Sequence, residues 1–305
     1  MQKNELNVNA RGGTELMANR VLTYLGDDAS DIEIICSRFR GLNPDKKNIY
    51  WCHDLATDPE VAHLKNGGWE KFDVIVFVSH WQQQMYNLYL GVPYSAGIVI
   101  PNGIEPFEHN DTSSDKVKLI YFSTPHRGLT ILYGVYKELS KEFGDSIELN
   151  VYSSFDLYGW ESRDEPFREL FDKLEEHPHI NYSKSISNEL MREKVQESDI
   201  LAYPSIWWET SCLTLIESMS AGLSCVHSSL AALPETSMGL TNMYGYTDDV
   251  QEHANRFYVE LRRVIQNHLS YNYAPMTHLC QEAILSRYDI THIVDQWKEV
   301  IDSLD

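Results

Sequence analysis

No stretch of this 305-residue chain approaches the ~18 consecutive apolar residues that a membrane-spanning helix requires. The first thirty residues lack the basic-then-apolar order of a secretory leader, so no signal peptide is expected. Cysteine is sparse: Cys36, Cys52, Cys212, Cys225 and Cys280 are odd in number, scattered, and contain no Cys-x-x-Cys pair. That pattern argues against a disulfide framework and against a zinc site, and it fits a reducing cytoplasm. Also missing are Gly-x-Ser-x-Gly, a P-loop and His-Glu-x-x-His, so serine-triad, P-loop and zincin chemistry find no support. Positive charge is short as well. Lys plus Arg number 25 against 45 Asp plus Glu, a formal balance of -20. Such a field repels nucleic acid and anionic membranes on average, so neither is expected as a partner. The deficit is uneven, with 9 basic and 13 acidic residues through Glu105 and 16 basic and 32 acidic after it.

What is present is an alternation of short apolar runs and amphipathic stretches. Strands are predicted at Ile32–Cys36, Ile49–Cys52, Val74–Ser79, Ile98–Ile100, Val117–Phe122, Ile147–Tyr152, Ile180–Tyr182, Ile200–Tyr203 and Ser224–His227. Several are rich in Val and Ile without strict alternation, as strands buried on both faces of a parallel sheet are. Helices are predicted at Glu15–Leu25, Trp81–Leu90, Leu129–Phe143, Glu189–Ser198 and Ser211–Ala221, and over the last 25 residues, where Ile290, Ile293, Val294, Trp297, Val300, Ile301 and Leu304 recur at helical spacing. Repeated strand–helix–strand order implies a doubly wound α/β fold. The length fits two domains. The turn formers Pro101-Asn102-Gly103 and Pro106, followed by the polar run His109–Lys116, place the boundary near residue 105. Met1–Ala10 is polar, so the strand that ordinarily leads into a first glycine turn is missing or very poor.

Four strand-to-helix corners carry residues suited to chemistry. The first runs from Tyr203-Pro204-Ser205 through Glu209-Thr210-Ser211-Cys212-Leu213-Thr214 to Glu217. Ligands of open α/β sheets bind beyond the strand carboxyl ends, and the free N–H groups of a helix start attract phosphate. Thr210 and Ser211 suit a cap or a phosphate. Glu217 lies among Leu215, Ile216 and Met219, on one face with Thr214; its oxygens either accept hydrogen bonds, for which sugar hydroxyls serve, or reach solvent. Glu209 is either a second ligand grip or loop surface. The second corner is Arg11-Gly12-Gly13-Thr14-Glu15, where paired glycines either let the backbone approach a phosphate or form a tight turn with Thr14 as N-cap. The third is Tyr50-Trp51-Cys52-His53-Asp54, whose His53 either contacts a substrate or is a buried histidine satisfied by Asp54. The fourth, Tyr121-Phe122-Ser123-Thr124-Pro125-His126-Arg127-Gly128, brings one guanidinium, which suits two phosphate oxygens or one of the many nearby carboxylates.

Taken together these corners resemble the family 4 retaining glycosyltransferases of the GT-B fold. Glu209 and Glu217 match that family's Glu-x7-Glu signature. Ser218–Val226 is similar to its Glu-Ala-Met-Ala-x-Gly run, Ser198–Ser205 to its strand lead-in ending in Pro-Ser, Val99–Ile104 to its Ile-Pro-Asn-Gly linker strand, Phe72–Ser79 to its Asp-x5-Ser strand, and Gly12–Glu15 to its N-terminal glycine loop. The match spans Gly12 to Leu304 in the family's order. Two departures stand out. Phe122-Ser123 replaces the usual Gly-Arg, leaving Arg127-Gly128 of the cationic corner, and Glu209-Thr210-Ser211-Cys212 replaces the common Glu-Gly-Phe-Gly.

The resemblance implies a retaining hexosyltransferase with two doubly wound Rossmann-like domains facing a cleft. Residues 1–105 would form the acceptor-side domain and 106–285 the donor domain, with a C-terminal helix, 286–305, packing back on the first. It implies a UDP- or GDP-sugar donor, an acceptor glycan or small molecule, and no metal or other cofactor. Glu217 would bind the donor ribose and Glu209 the sugar hydroxyls. The amides of Ser211, Cys212, Leu213 and Thr214, with Thr210, would receive sugar and diphosphate. Arg127 and Ser123 would meet the leaving diphosphate, approached also by Gly12 and Gly13. His53 would touch the sugar near the reacting carbon, and Tyr152, Ser153 and Ile180 lie where the family contacts the base. Catalytic roles fall to His53, Arg127 and Glu209. Two other functions remain open at this stage: a non-catalytic sugar-nucleotide binding protein and a GT-B sugar-nucleotide epimerase.

Overall fold

The computed structural model describes residues 12–107, 116–270 and 275–304. The polar Met1–Ala10, Arg11 of the glycine corner, and the predicted linker His109–Lys116 other than Lys116 lie outside the described residues. The chain divides into two compact units. The first comprises Met1–Glu105, Glu209–Leu213 and Ser286–Asp305; the second comprises Pro106–Trp208 and Thr214–Leu285.

In the first unit, β1 (Ile32–Cys36), β2 (Lys47–Trp51), β3 (Val74–Phe77) and β4 (Gly97–Val99) form one parallel sheet in that order. Alternate residues of β2 feed two cores. Ile49 and Trp51 face α1 (Gly13–Leu25), where Met17, Val21 and Leu25 pack with Ile293, Val294, Trp297 and Val300 of α10 (Ile290–Asp302). Tyr50 and Cys52 face the opposite side, with Phe72, Ile75, Phe77, and Tyr86 and Leu90 of α2 (His80–Leu90). The sequence predicts one C-terminal helix; the structure breaks it at Asp289, whose carboxylate caps the N–H of Thr291 at 2.8 Å. The break has a tertiary cause. Ile104 N–H donates to the Tyr288 carbonyl at 2.7 Å and the Ile104 carbonyl accepts from Ile290 N–H at 2.9 Å, which takes backbone groups a continuous helix would need for itself. Gly103 is required there, because a Cβ at that position would sit 2.7 Å from the Cδ1 of Ile290.

The second unit is a six-stranded parallel sheet of β5 (Val117–Phe122), β6 (Ile147–Tyr152), β7 (Ile180–Ser183), β8 (Ile200–Tyr203), β9 (Ser224–Ser228) and β10 (Asn242–Tyr244). Its order is β10-β9-β8-β5-β6-β7. The chain therefore winds outward from β5 through β6 to β7, then restarts on the other side of β5 with β8. That reversal, between β5 and β8, is the topological switch point at which open α/β sheets bind ligands. Helix α3 (Leu129–Phe143) joins β5 to β6, α4 (Arg168–Glu175) and α5 (Asn188–Gln196) flank β7, α6 (Leu213–Ser220) joins β8 to β9, and α7 (Leu233–Ser237) precedes β10. The last long helix before the break is α8 (Val250–Ser270), followed by α9 (Pro275–Tyr288).

Several of these elements are not predicted from periodicity, among them β10, α4, α7 and α8. The strand β10 offers only Met243 and Tyr244 as apolar residues. Helix α4 is rich in charged residues and α8 in polar ones, and what fixes α8 is its buried stripe Phe257, Leu261, Val264 and Ile265 together with the Arg262–Glu142 ion pair to α3 at 2.6 Å.

Candidate functional site

Both sides of the switch point are tightly built. From β5, the turn Pro125–Arg127 ends at Gly128, which has φ +122 and opens α3. A side chain is excluded at Gly128: its Cβ would lie 2.2 Å from the Pro204 carbonyl oxygen, on the loop that leaves β8. That same carbonyl faces Nε2 of His253 at 3.4 Å. Ser123 gives its carbonyl to the hydroxyl of Ser153 at 2.7 Å, and the Ser153 carbonyl accepts from Tyr182 Oη at 3.0 Å, so the ends of β5, β6 and β7 are laced together. On the β8 side, α6 delivers Thr214, whose hydroxyl donates to the Phe122 carbonyl at 3.1 Å. Glu217 follows one turn later, half-buried on the same helix. The second unit thus gathers Ser123, Arg127, Ser153, Thr214 and Glu217 at the carboxyl ends of adjacent strands. His126, between Thr124 and Arg127, stacks on Phe155 at 5.1 Å. Its pKa is pushed down to about 4, first by burial and then by the nearby Arg127 and Arg163.

Two predicted base contacts lie elsewhere. Tyr152 ends β6, but its side chain lines a polar cavity of about 240 Å³ with Lys118, Glu148, Asn150 and Lys194. Ile180 is the first residue of β7 and is buried in the core, at the amino end of the strand rather than at its carboxyl end. The side chain that reaches the strand-end corner from β7 is Tyr182, two residues on. Residues two apart share a face, so what separates Ile180 from Tyr182 is position along the strand, Tyr182 lying nearer its carboxyl end.

The first unit gathers the remaining predicted residues. Gly12 is the N-cap of α1, with no side-chain cap, so Thr14 lies inside the helix and does not cap it. A Cβ at Gly13 would lie 3.2 Å from the Cδ1 of Leu213, which is why a bulkier residue fits poorly where Leu213 joins this core. Thr210 donates its hydroxyl to the His53 carbonyl at 3.0 Å, and Asn102 Nδ2 reaches the Ser211 carbonyl at 3.5 Å. These contacts account for the assignment of Glu209–Leu213 to this unit although most of the surrounding sequence folds in the other. Glu209 is 5% exposed and Cys212 is buried beside it in sequence.

His53 follows β2. Its N–H donates to the Ser37 hydroxyl at 3.0 Å, and its ring lies 4.5 Å from that of Trp51. Burial lowers its pKa to about 3, so the imidazole is neutral at physiological pH. Asp54 does not satisfy the ring: Nε2 of His53 is buried without a hydrogen-bond partner. An orphaned buried ring nitrogen costs on the order of 1–3 kcal/mol, a cost a hydrogen-bonding ligand would offset. Oδ1 of Asn102, a residue 4% exposed, is orphaned in the same way. Sequence reasoning read Asn102 only as a linker turn former; its place after β4, beyond the carboxyl end of a parallel strand, was the available signal. Among the described residues no group of three or more His, Cys, Asp or Glu side chains is arranged to hold a metal ion. No helix among them is long and apolar enough to cross a membrane.

No curated protein matches the chain in sequence. Residues 113–237 match the model of the glycosyl transferases group 1 family, a match that covers less than half of the chain and, apart from Glu209–Leu213, lies in the second unit. The fold is that of GT-B glycosyltransferases. The chain is similar to a glycosyltransferase from Rickettsia africae ESF-5 with a TM-score of 0.68 at 14% identity, covering 98% of this chain and 84% of that one. It is similar to Anabaena Alr3699/HepE, solved in complex with UDP-glucose, with a TM-score of 0.62 at 17% identity over 85% of this chain and 72% of that one. TarM aligns over 92% of this chain with a TM-score of 0.65 at 13% identity, but this chain spans only 57% of the length of TarM.

Proposed function

We propose that this protein is a glycosyltransferase that takes a sugar from a nucleoside-diphosphate-sugar donor, without a metal and with retention of anomeric configuration. The observation that carries the reading is the switch point of the second unit. There Arg127, Ser123 and the start of α6 converge at the carboxyl ends of β5 and β8, with Glu217 one turn into α6. Breaking a sugar–diphosphate bond builds charge on phosphate oxygens, and fixed amide dipoles with one guanidinium stabilise that charge where water is excluded. Glu217 is assigned to the ribose, and the amides around Thr214 to the diphosphate. In the first unit, Glu209 and the neutral His53 are assigned to the sugar. A neutral imidazole with an open nitrogen hydrogen-bonds a hydroxyl without adding charge beside a cationic transition state. The UDP-glucose complex of Anabaena Alr3699/HepE supports a UDP-sugar as the donor, with a GDP-sugar as the alternative. Phe122-Ser123 in place of the usual Gly-Arg, with Arg127 left of the cationic corner, also leaves room for a sugar-nucleotide binding protein without transfer.

The test is a thermal-shift panel with UDP, GDP, ADP and CDP, each with and without EDTA, on the natural chain and on Glu217→Ala. One diphosphate should raise the melting temperature regardless of EDTA, and the Glu217→Ala variant should lose at least tenfold in affinity for it while keeping its circular dichroism. Unchanged affinity in that variant sinks the assignment. Nucleotide binding with neither transfer nor donor hydrolysis selects the binding-protein reading, and conversion of the donor's sugar without an acceptor selects an epimerase.

A further inference from the structure

The loop that leaves β8 presents Ile206, Trp207 and Trp208 in succession, 44%, 41% and 40% exposed. Three consecutive large apolar residues at the surface lose hydrophobic stabilisation in an unliganded protein, and clusters of this kind mark places where something binds. This loop is anything but loose. Ser205 Oγ accepts from Trp207 N–H and donates to the Trp207 carbonyl, both at 3.2 Å. Ser228 Oγ donates to the Ser205 carbonyl at 3.0 Å, and the Pro204 carbonyl is wedged against Gly128 and His253.

Behind the loop stands a row of rings. Trp207 meets His126 edge-on at 4.8 Å, His126 stacks on Phe155 at 5.1 Å, and Phe155 leans on Phe167 at 6.1 Å. Beneath the row, Nδ1 of His126, Oγ1 of Thr124 and Oδ1 of Asp156 are buried without hydrogen-bond partners, and Thr124 is only 2% exposed. The strand-end corner of the second unit therefore carries a rigid indole surface next to unsatisfied polar atoms, all within one unit.

We propose that Trp207, set edge-on against His126, and the exposed Trp208 next to it in sequence form a binding platform for the flat C–H face of an uncharged pyranose, the acceptor sugar. The word acceptor rests on the glycosyltransferase reading above; the saccharide platform itself does not. The part of the chain after Glu105 carries 16 basic against 32 acidic residues, and away from the Arg127 guanidinium assigned to the diphosphate that average field favours a neutral over an anionic glycan. The alternative flat ligand, the donor's base, is disfavoured by the loop's own hydrogen bonds. A base is read along its polar edge, and here the Trp207 N–H and the carbonyls of Pro204, Ser205 and Trp207 are all engaged inside the protein. What the loop offers outward is aromatic area, which suits the apolar face of a sugar. Because the Trp207 ring is already packed against His126, little side-chain entropy is lost there on binding.

The experiment uses the full chain on an array of neutral and acidic glycans, with UDP and GDP thermal shifts measured in parallel. The variants are the double substitution Trp207→Ala with Trp208→Ala, and the conservative Trp207→Phe, each checked for folding by its melting transition. The expected result is binding to neutral glycans, a loss of at least tenfold in the double variant, retention in Trp207→Phe, and nucleotide shifts unchanged throughout. Absence of neutral-glycan binding, binding restricted to acidic glycans, or binding that survives the double substitution overturns the proposal. A nucleotide shift lost with the tryptophans overturns it in favour of base stacking. Glycan binding that depends on Trp207 and Trp208 in a chain with no nucleotide shift would keep the platform and remove the transferase reading. Should the double variant fail to fold, Trp208→Ala alone and Trp207→Phe decide, because both leave the ring contact between residues 207 and 126 in place.

Discussion

The carbonyl oxygen of Pro204 occupies the space into which any side chain at residue 128 would grow, 2.2 Å from the ideal Cβ position. With φ at +122, residue 128 also has a conformation that L side chains rarely adopt. Gly128→Ala should therefore cost on the order of 1–3 kcal/mol in urea unfolding, through strain and through displacement of the β8 loop. Under the proposed function it should weaken nucleotide-diphosphate binding as well, because the loops after β5 and β8 would move apart. Unaltered stability in this variant would show that the two loops do not hold each other.

Thr214 ties α6 to the end of β5 through its hydroxyl and the Phe122 carbonyl. Thr214→Val keeps the shape and removes the donor, so a loss of about 1 kcal/mol in stability is expected, with Thr214→Ser restoring most of it. Calorimetric melting of the three proteins checks this.

His227 is fully buried, with Nδ1 at 2.8 Å from the Ser228 carbonyl and Nε2 at 2.7 Å from the Thr241 hydroxyl. Burial lowers its pKa to about 4 from the ordinary 6.5. The sign follows from linkage: between these values the unfolded chain binds the proton and the folded chain does not, so stability is full above pH 6.5 and falls as pH drops toward 4. The shift corresponds to ~3 kcal/mol for this residue. His268, also lowered to about 4 by burial, acts in the same direction. Urea unfolding at pH 7.5 and pH 5 should show the loss, and His227→Gln should flatten the dependence.

His53, with its pKa lowered to about 3, stays neutral throughout the working range of an enzyme. If it serves the sugar as a hydrogen-bonding group, its titration leaves no mark on the rate between pH 5 and 8. His53→Gln should lower kcat by roughly 10–100-fold, as loss of one transition-state hydrogen bond does, with nucleotide affinity retained. An activity limb near pH 6.5 that disappears in the variant would instead make His53 a proton carrier.

Trp297 of α10 is fully buried against Trp51, ring centroids 4.9 Å apart. Trp297→Ala should destabilise the first unit by about 3–5 kcal/mol. Differential scanning calorimetry of this variant should separate two transitions if the units unfold independently, the lower one belonging to the first unit.

The parallel sheets were legible because fully buried strands are written as Val- and Ile-rich runs: Ile32–Cys36, Val117–Phe122, Ile147–Tyr152 and Ile200–Tyr203 appear where the runs place them. The switch-point residues were legible because a strand end, a helix start and a pair of glutamates lie in one continuous stretch of sequence. The surroundings of Tyr152 and Ile180 were not legible: Tyr152 lines a polar cavity with Lys118 and Asn150, and Ile180 stands at the amino end of β7, because cavity lining and strand start are set by pairing with neighbouring strands. The alternative of Thr14 as N-cap does not hold, because α1 begins after Gly12, which has no side chain to mark the helix start. Helix α8 was hidden by its charges, since its burial depends on a narrow stripe of four residues.

By itself the sequence determined the class of fold, the strand runs, the acidic surface and the pairing of Glu209 with Glu217 across one loop and helix. These depend on hydrophobic period and on local spacing, which a linear chain carries in full. Only the tertiary structure decided that Glu209–Leu213 belongs to the first unit, that α10 starts anew at Asp289, that Nε2 of His53 is left without a partner, and that Trp207 packs edge-on against His126 while Trp207 and Trp208 stay exposed. Each of these rests on contacts between residues far apart in the chain — Thr210 with His53, Ile104 with Tyr288, Ser205 with Ser228 — and such pairings are set by packing and by the satisfaction of buried polar groups, not by neighbours in sequence.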